Sequence, residues 1–452
     1  MTTRTTHAGP ALKTLVIRLH FYIGLLVGPF IFFAALTGTL YALTPALEQV
    51  LYKEALTTSS SSGTPTLLSR QVAAAQDYLG VDTPPSAVRP APEPGTTTRV
   101  MFADPLLGAS EHRAIFIDPH SLEVRGDMTV YGTSGVLPLR RIIDQIHRSL
   151  MQGDPGRLYS ELAASWMWLA ALAGLAIWAL TPSPKVDPGK QSATARRLRT
   201  RRRHSVLGLF LLIGLLALSA TGMTWSKHAG DNFFTVLKAA GWGTPRVSQS
   251  LDGHALHQAD AHADHGMAQA GAAERLADFD IVEATAREAG LDAGKIELLV
   301  PGPNQAWKVR EIDRSRPSQV DEVAVHPSRF TVLDQVSFSD YPLAAKLTRW
   351  GIDGHMGILF GLPNQLLLAA LGIGIMTMVA WGYAMWWRRP SASNGQTLWP
   401  ALLALPLPAM ALVIVTGVLL GLALPVMGAS LVLFLAVDAV RSLRFARQRA
   451  NA

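Results

Sequence analysis

The sequence predicts an α-helical polytopic membrane protein of six spans that carries two small periplasmic α+β modules, the whole built by internal duplication. Apolar blocks with at most one charge recur at 19–43, 159–180, 205–225, 362–387, 399–421 and 424–440, each near the roughly 20 residues a helix needs to cross ~30 Å of hydrocarbon. Basic residues gather in alternate gaps: eight lie between Lys185 and Arg203, Arg388 and Arg389 follow the fourth block, and Arg441, Arg444, Arg447 and Arg449 follow the sixth. With the N-terminus inside, all of these face the cytoplasm, as the positive-inside rule requires. The net charge of +7 is thereby accounted for by topology, and no nucleic-acid partner is expected. The duplication shows as a constant offset. His355 stands 208 positions after His147, and the same offset carries Arg141 onto Arg349, Pro119 onto Pro327, Gly174 onto Gly382 and Trp178 onto Trp386.

Span one is expected over 12–43. It is too long for a removed signal peptide and has no convincing small-residue cleavage site, so it is read as an anchor. Residues 44–157 form the first periplasmic module: 67–79 has Leu68, Val72, Ala75 and Leu79 near helical spacing, and 99–103, 114–118 and 122–125 read as strands between Pro/Gly/Thr-rich turns. Span two (158–181), a basic cytoplasmic loop (182–203) and span three (204–226) follow. Span three copies span one at an offset of 184, which takes His20 onto His204, Gly24 onto Gly208, Thr37-Gly38 onto Thr221-Gly222 and Tyr41 onto Trp225. The second module, 227–361, has a helix at 281–289 and strands at 296–300, 307–312, 322–325 and 331–336. The change of offset from 184 to 208 locates an insertion, the low-complexity run 252–273. Span four is 362–388. Spans five and six, 398–443, lie outside the duplicated frame and have no assigned role. Both termini are expected in the cytoplasm.

There is no cysteine, which excludes disulfides, thiolate metal sites and cysteine-ligated clusters. No Gly-rich nucleotide fingerprint, Walker loop or His-Glu-x-x-His motif occurs. Apart from Asp438, the central parts of the spans hold no ionisable residue, which weakens a transporter reading.

The histidines carry the chemistry. His20 and His204 fall at the cytoplasmic ends of spans one and three, at equivalent positions. His147 and His355 stand at the other side, each just before a return span. A haem iron takes axial ligands on opposite faces, and imidazole serves that role; a twofold repeat supplies one from each copy. The expected pairs are His20 with His204 near the cytoplasm and His147 with His355 near the periplasm. The alternative is that half-polar rings merely rest in the headgroup zone. At 1.5 Å per residue His20 and Leu43 are about 35 Å apart, so the periplasmic pair is expected to dip inward, through the turns at Gly153–Gly156 and Gly361–Pro363. Trp166, Trp168 and Trp178 either bridge the interior or anchor the aromatic belt. In the insertion, His254, His257, His262 and His265 with nearby aspartates either bind a borderline divalent metal or form a polar loop without a site.

Leu19-His20-Phe21-Tyr22-Ile23-Gly24, the two Thr-Gly pairs, Ile146-His147-Arg148-Ser149-Leu150, Gly174–Trp178 and the hairpins around Pro119 and Pro327 together resemble the PepSY-associated transmembrane helix family of bacterial inner-membrane proteins, in two copies over about 12–390. The resemblance implies PepSY-like periplasmic modules, two haem b groups, and reduction of a periplasmic ferric siderophore that releases Fe(II) for iron uptake. Electrons would come from quinol or a separate cytoplasmic reductase, and the spans sit in membrane lipid. Independently of the resemblance, Arg140, Arg141, Arg148 and Arg349 either recruit an anionic chelate or contact lipid headgroups. The alternatives are a non-enzymatic membrane scaffold or metal-binding accessory, and a siderophore or haem permease.

Overall fold

A computed structural model describes residues 8–59, 63–132, 134–182, 189, 192–251, 275–389 and 397–450. In chain order its helices are α1 (Ala8–Tyr22), a π-helix (Ile23–Val27), α2 (Gly28–Leu51), α3 (Lys53–Leu56), α4 (Leu68–Leu79), α5 (Pro138–Ser149), α6 (Gly153–Leu180), α7 (Ala193–Thr224), α8 (His228–Ala239), α9 (Asp278–Glu288), α10 (Leu343–His355), α11 (Leu362–Trp387), α12 (Leu398–Leu403), α13 (Leu407–Ala423) and α14 (Pro425–Ala450). The strands are β1 (Ala87–Arg89), β2 (Thr98–Phe102), β3 (Glu111–Ile117), β4 (Val124–Tyr131), β5 (Ile296–Leu299), β6 (Trp307–Glu311), β7 (Glu322–Val325) and β8 (Val332–Val336). Two compact units result: a helical one of 1–40, 145–236 and 366–452, and a sheet unit of 41–144 and 237–365.

Among the described residues five helices are long and apolar enough to cross a membrane, at Gly9–Leu51, Gly153–Leu180, Ala193–Thr224, Leu362–Trp387 and Pro425–Leu443. The chain is therefore a multi-pass membrane protein. The fifth expected span differs in detail: 399–421 is not one helix but α12 and the 17-residue α13. Pro406 is the cause, because it has no N–H to continue the ladder and biases Leu405 away from helical angles. Outside the duplicated frame, α14 packs on α6 through Trp166 and Phe434, whose rings lie 5.5 Å apart, and Trp166 Nε1 donates to Ser430 Oγ at 2.8 Å.

The sheet unit also departs from expectation. The strands of the two expected α+β modules join in one eight-stranded antiparallel sheet, which runs β4-β3-β2-β1-β5-β6-β7-β8. Each half alone would present an unpaired edge, and β1 pairs with β5 to remove both, Val88 opposite Leu298. One core then runs through both halves, with Val88, Val100, Ile115, Leu298, Val309 and Val323 beneath Val72 of α4 and Phe279 of α9. The 208-residue offset recurs in the backbone. Leu122 (φ 63°) and Phe330 (φ 53°) are both left-handed. Asp118 N–H donates to Glu123 O, and His326 N–H to Thr331 O, each at 2.9 Å. Pro119 and Pro327 thus occupy the same turn. Asp118 Oδ1 accepts from His120 and Ser121 N–H; in the other copy the His326 imidazole takes that place, accepting from Ser328 and Arg329 N–H.

Where the halves meet, the fully buried Glu297 accepts from two arginines: Arg89 Nη2 lies 2.7 Å from Oε1 and Arg310 Nη2 2.6 Å from Oε2. Burial alone pushes this carboxyl up, but Arg310 and Arg89 outweigh burial and hold it at about 2. The unfolded value is near 4.3. The folded value is the lower one, so the stabilisation is complete above about pH 4.3 and is lost as pH falls towards 2. Glu297→Gln leaves two buried guanidinium groups facing each other and is expected to destabilise the sheet unit by about 3–5 kcal/mol. Hydrogen exchange at β1 and β5 in the full chain measures this; protection equal to wild type would contradict it.

Candidate functional site

Four helices of the membrane unit converge on one cavity. His20 lies on α1 and His204 on α7. His20 Nδ1 donates to Ala170 O of α6 at 3.0 Å, and His204 Nδ1 donates to Met378 O of α11 at 3.1 Å. A carbonyl only accepts, so each ring carries its proton on Nδ1 and keeps the Nε2 lone pair for ligation. Ala170 and Met378 are themselves 208 positions apart, so each copy fixes its imidazole in the same way. Such an outer hydrogen bond orients a ligating histidine and raises its basicity. Gly174, one turn beyond Ala170, makes room: a Cβ there would lie 3.3 Å from His20 Cε1. Gly382 has no such neighbour within 4 Å.

The two ring centroids are 6.3 Å apart and their planes cross at 79°. Metal–imidazole bonds of about 2 Å on opposite sides of one ion put the centroids roughly 6 Å apart, so the spacing accommodates a single ion held in trans. The surrounding cavity, ≈ 450 Å³, is walled by Gly24, Gly28, Gly174, Gly208 and Gly382 and by apolar side chains, and no carboxylate lines it. Arg197, Arg201 and Arg389 also line it. On α7, Arg197, Arg201, His204 and Gly208 follow at steps of 4, 3 and 4, which places them on one helix face. A flat apolar macrocycle with acidic substituents on one edge and two open axial positions matches this lining in shape, polarity and donor set. Haem is such a group, and the residues present fit it.

His147 sits near the C-terminal end of α5 and meets α2. Thr37 Oγ1, whose hydroxyl also reaches the helix carbonyls of Phe33 and Ala34, lies within hydrogen-bond distance of His147 Nδ1 at 2.9 Å, and the Ala34 carbonyl accepts from the His147 ring. A Cβ on Gly38 would lie 3.1 Å from His147 Cε1, which gives the Thr-Gly pair a physical role. The hydroxyls of Tyr159 and Ser160 on α6 cap the carbonyls of His147 and Arg148. His355 is the last residue of α10, in the sheet unit. Its turn is pinned by the buried Asp353, which accepts from Arg314 Nε at 2.7 Å and pairs with Arg349 at 3.2 Å. Arg141 pairs with Glu111 at 2.6 Å. Two of the arginines expected to recruit an anionic chelate, Arg141 and Arg349, are thus engaged by carboxylates. His254, His257, His262 and His265 lie outside the described residues, and among the described residues no three His, Asp or Glu side chains group as a metal site.

Some of the site had no sequence signal. Arg197 and Arg201 read as part of a topological basic run; their spacing to His204 was the available clue. Asp438 was visible as an exception in the last span, but not its partners. Its Oδ1 accepts from Tyr22 hydroxyl at 2.7 Å and its Oδ2 from Trp399 N–H at 2.9 Å. The C-terminal helices therefore hold α1 two residues beyond His20.

The family model for the PepSY-associated TM region matches residues 17–389. No curated protein matches the chain.

Proposed function

The chain belongs to the PepSY-associated TM region family, and on that premise we propose that it is a di-haem membrane reductase that passes electrons to a ferric siderophore. The observation that carries the proposal is the pair His20 and His204, 6.3 Å apart in a glycine-walled cavity with three arginines. His20 and His204 would hold one haem b, His147 and His355 the other. When bound, these groups supply one-electron transfer. The chain's own part is to hold the His20 and His204 imidazoles by Nδ1, keep the interior apolar, and set arginines against the acidic edge. One electron takes the chelated iron from Fe(III) to Fe(II), which hard oxygen donors hold less well, and the metal is released for uptake.

The Arg-rich end of α7 is assigned to the cytoplasm of a bacterial inner membrane and the sheet unit to the periplasm. Quinol or a separate cytoplasmic reductase is the donor. For both termini to be cytoplasmic α13 must also cross; its 17 residues span about 25 Å, at the short end of the range.

A reduced-minus-oxidised spectrum of the purified protein, with haem-to-chain stoichiometry, tests the proposal. A sharp reduced α-band and two haems per chain are expected; a colourless protein would leave the scaffold or metal-binding accessory. Uptake of a siderophore or haem into vesicles without reduction would favour the permease. Removing residues 254–265, and with them the four histidines of the insertion, is expected to leave haem content and ferrous-trap activity at wild-type levels. Loss of haem on that deletion would mean that the axial ligands lie in the insertion.

A further inference from the structure

The two walls of the His20–His204 cavity are not copies of each other. Three residues after His20 the helix runs as a five-residue π-helix, Ile23–Val27, closed by Gly28 N–H on Ile23 O. The equivalent stretch of α7, 207–211, is continuous α-helix. A π-turn has poorer packing than an α-turn and is kept where something holds it, often beside a functional group. Here the Tyr383 hydroxyl donates to Leu25 O at 2.6 Å, and the Tyr383 ring lies over Gly28, where a Cβ would be 3.5 Å from Cε2. The other return helix carries Leu175 at the matching position, with no hydroxyl to offer. The anchor and the π-turn therefore occur together on one wall and are absent together from the other. The π-turn lies on the helix that bears His20, and Tyr383 reaches it from α11.

Resting on the haem reading above, we infer that Tyr383 is a positioning residue: through the Leu25 carbonyl it holds the π-turn of the His20 helix and so keeps the two axial imidazoles crossed. The 79° between the rings has an electronic consequence. Perpendicular imidazoles donate equally to the two π-type d orbitals of iron, which stay close in energy; parallel imidazoles split them. A low-spin ferric ion between crossed rings gives a highly anisotropic EPR signal, and between parallel rings a rhombic one.

The test uses holoprotein in detergent, taking the EPR difference between wild type and His20→Ala to isolate this iron. The expected wild-type difference signal is highly anisotropic. In Tyr383→Phe, bis-histidine absorption bands are expected to persist while most of that signal moves to rhombic positions, with a shifted midpoint potential. Tyr383→Leu, which installs the residue of the other return helix, is the second variant if Tyr383→Phe does not accumulate. A packing role alone would lower yield without moving the spectrum. A rhombic wild-type signal, or variant spectra superimposable on wild type, would overturn the inference. If His20→Ala removes no haem absorbance, the haem assignment itself falls instead.

Discussion

His20→Ala and His204→Ala are each expected to remove the same proposed haem, so that haem per chain would fall from about two to about one in either variant and in the double variant alike. A bis-histidine ion needs both imidazoles, so the second substitution has nothing left to remove. The structure gives the expectation a symmetry. Each ring is fixed by a carbonyl of the neighbouring return helix, Ala170 O at 3.0 Å and Met378 O at 3.1 Å, and neither anchor is a side chain that a second mutation would disturb. Gly174→Val serves as an independent check on the same site, because even a Cβ would approach His20 Cε1 to 3.3 Å and a branched side chain must push the ring away. The measurement is pyridine haemochrome stoichiometry on each purified variant, with thermal unfolding as the control for fold. If His20→Ala and His204→Ala deplete different haems, or the double variant loses both, the pairing is wrong.

The meeting of His20 and His204 could be anticipated because duplication writes one histidine into each copy at a constant offset, and offsets survive in a linear sequence. Helix and strand positions in the sheet unit were legible for a similar reason: the strand expected at 322–325 is β7, and the helix expected at 67–79 is α4 over Leu68–Leu79. What failed was whatever depends on a neighbour distant in sequence. β1 is three residues between Pro85 and Pro90, too short and too proline-flanked to read as a strand, yet it lies at the centre of the sheet. Without it nothing joins the halves, and two modules are the natural reading. Glu297 likewise looks like an ordinary strand glutamate until Arg89 and Arg310 close on it. The break at Pro406 was written in the sequence but was outweighed by the hydropathy of its flanks. Carbonyl anchors such as Ala170 O leave no trace in residue identity, since any residue supplies one.

His147→Ala and His355→Ala are expected to leave the His20–His204 haem in place and to abolish reduction of a periplasmic ferric chelate. His147 meets α2 at Thr37 and Gly38, well before Leu43. Measured along the helix, that point is about 25 Å from His20 at 1.5 Å per residue, so the second group would lie nearer the first than the ends of the span suggest. The Thr37 hydroxyl lies 2.9 Å from His147 Nδ1, and the Ala34 carbonyl bonds the same ring. Thr37→Val removes the hydroxyl while nearly keeping side-chain volume, and is expected to weaken haem retention less than His147→Ala does, because the imidazole itself still ligates. His355 follows the Asp353 turn that Arg314 and Arg349 pin, so Asp353→Asn is expected to act in the same graded way from the other ligand. Haem titration beside a ferrous-trap assay, with reductant supplied to inverted vesicles, separates the outcomes. One haem and no trapped Fe(II) is the expected result for both histidine variants. Two haems with unchanged spectra in His355→Ala would break the second pair, and with it the route to the ferric chelate.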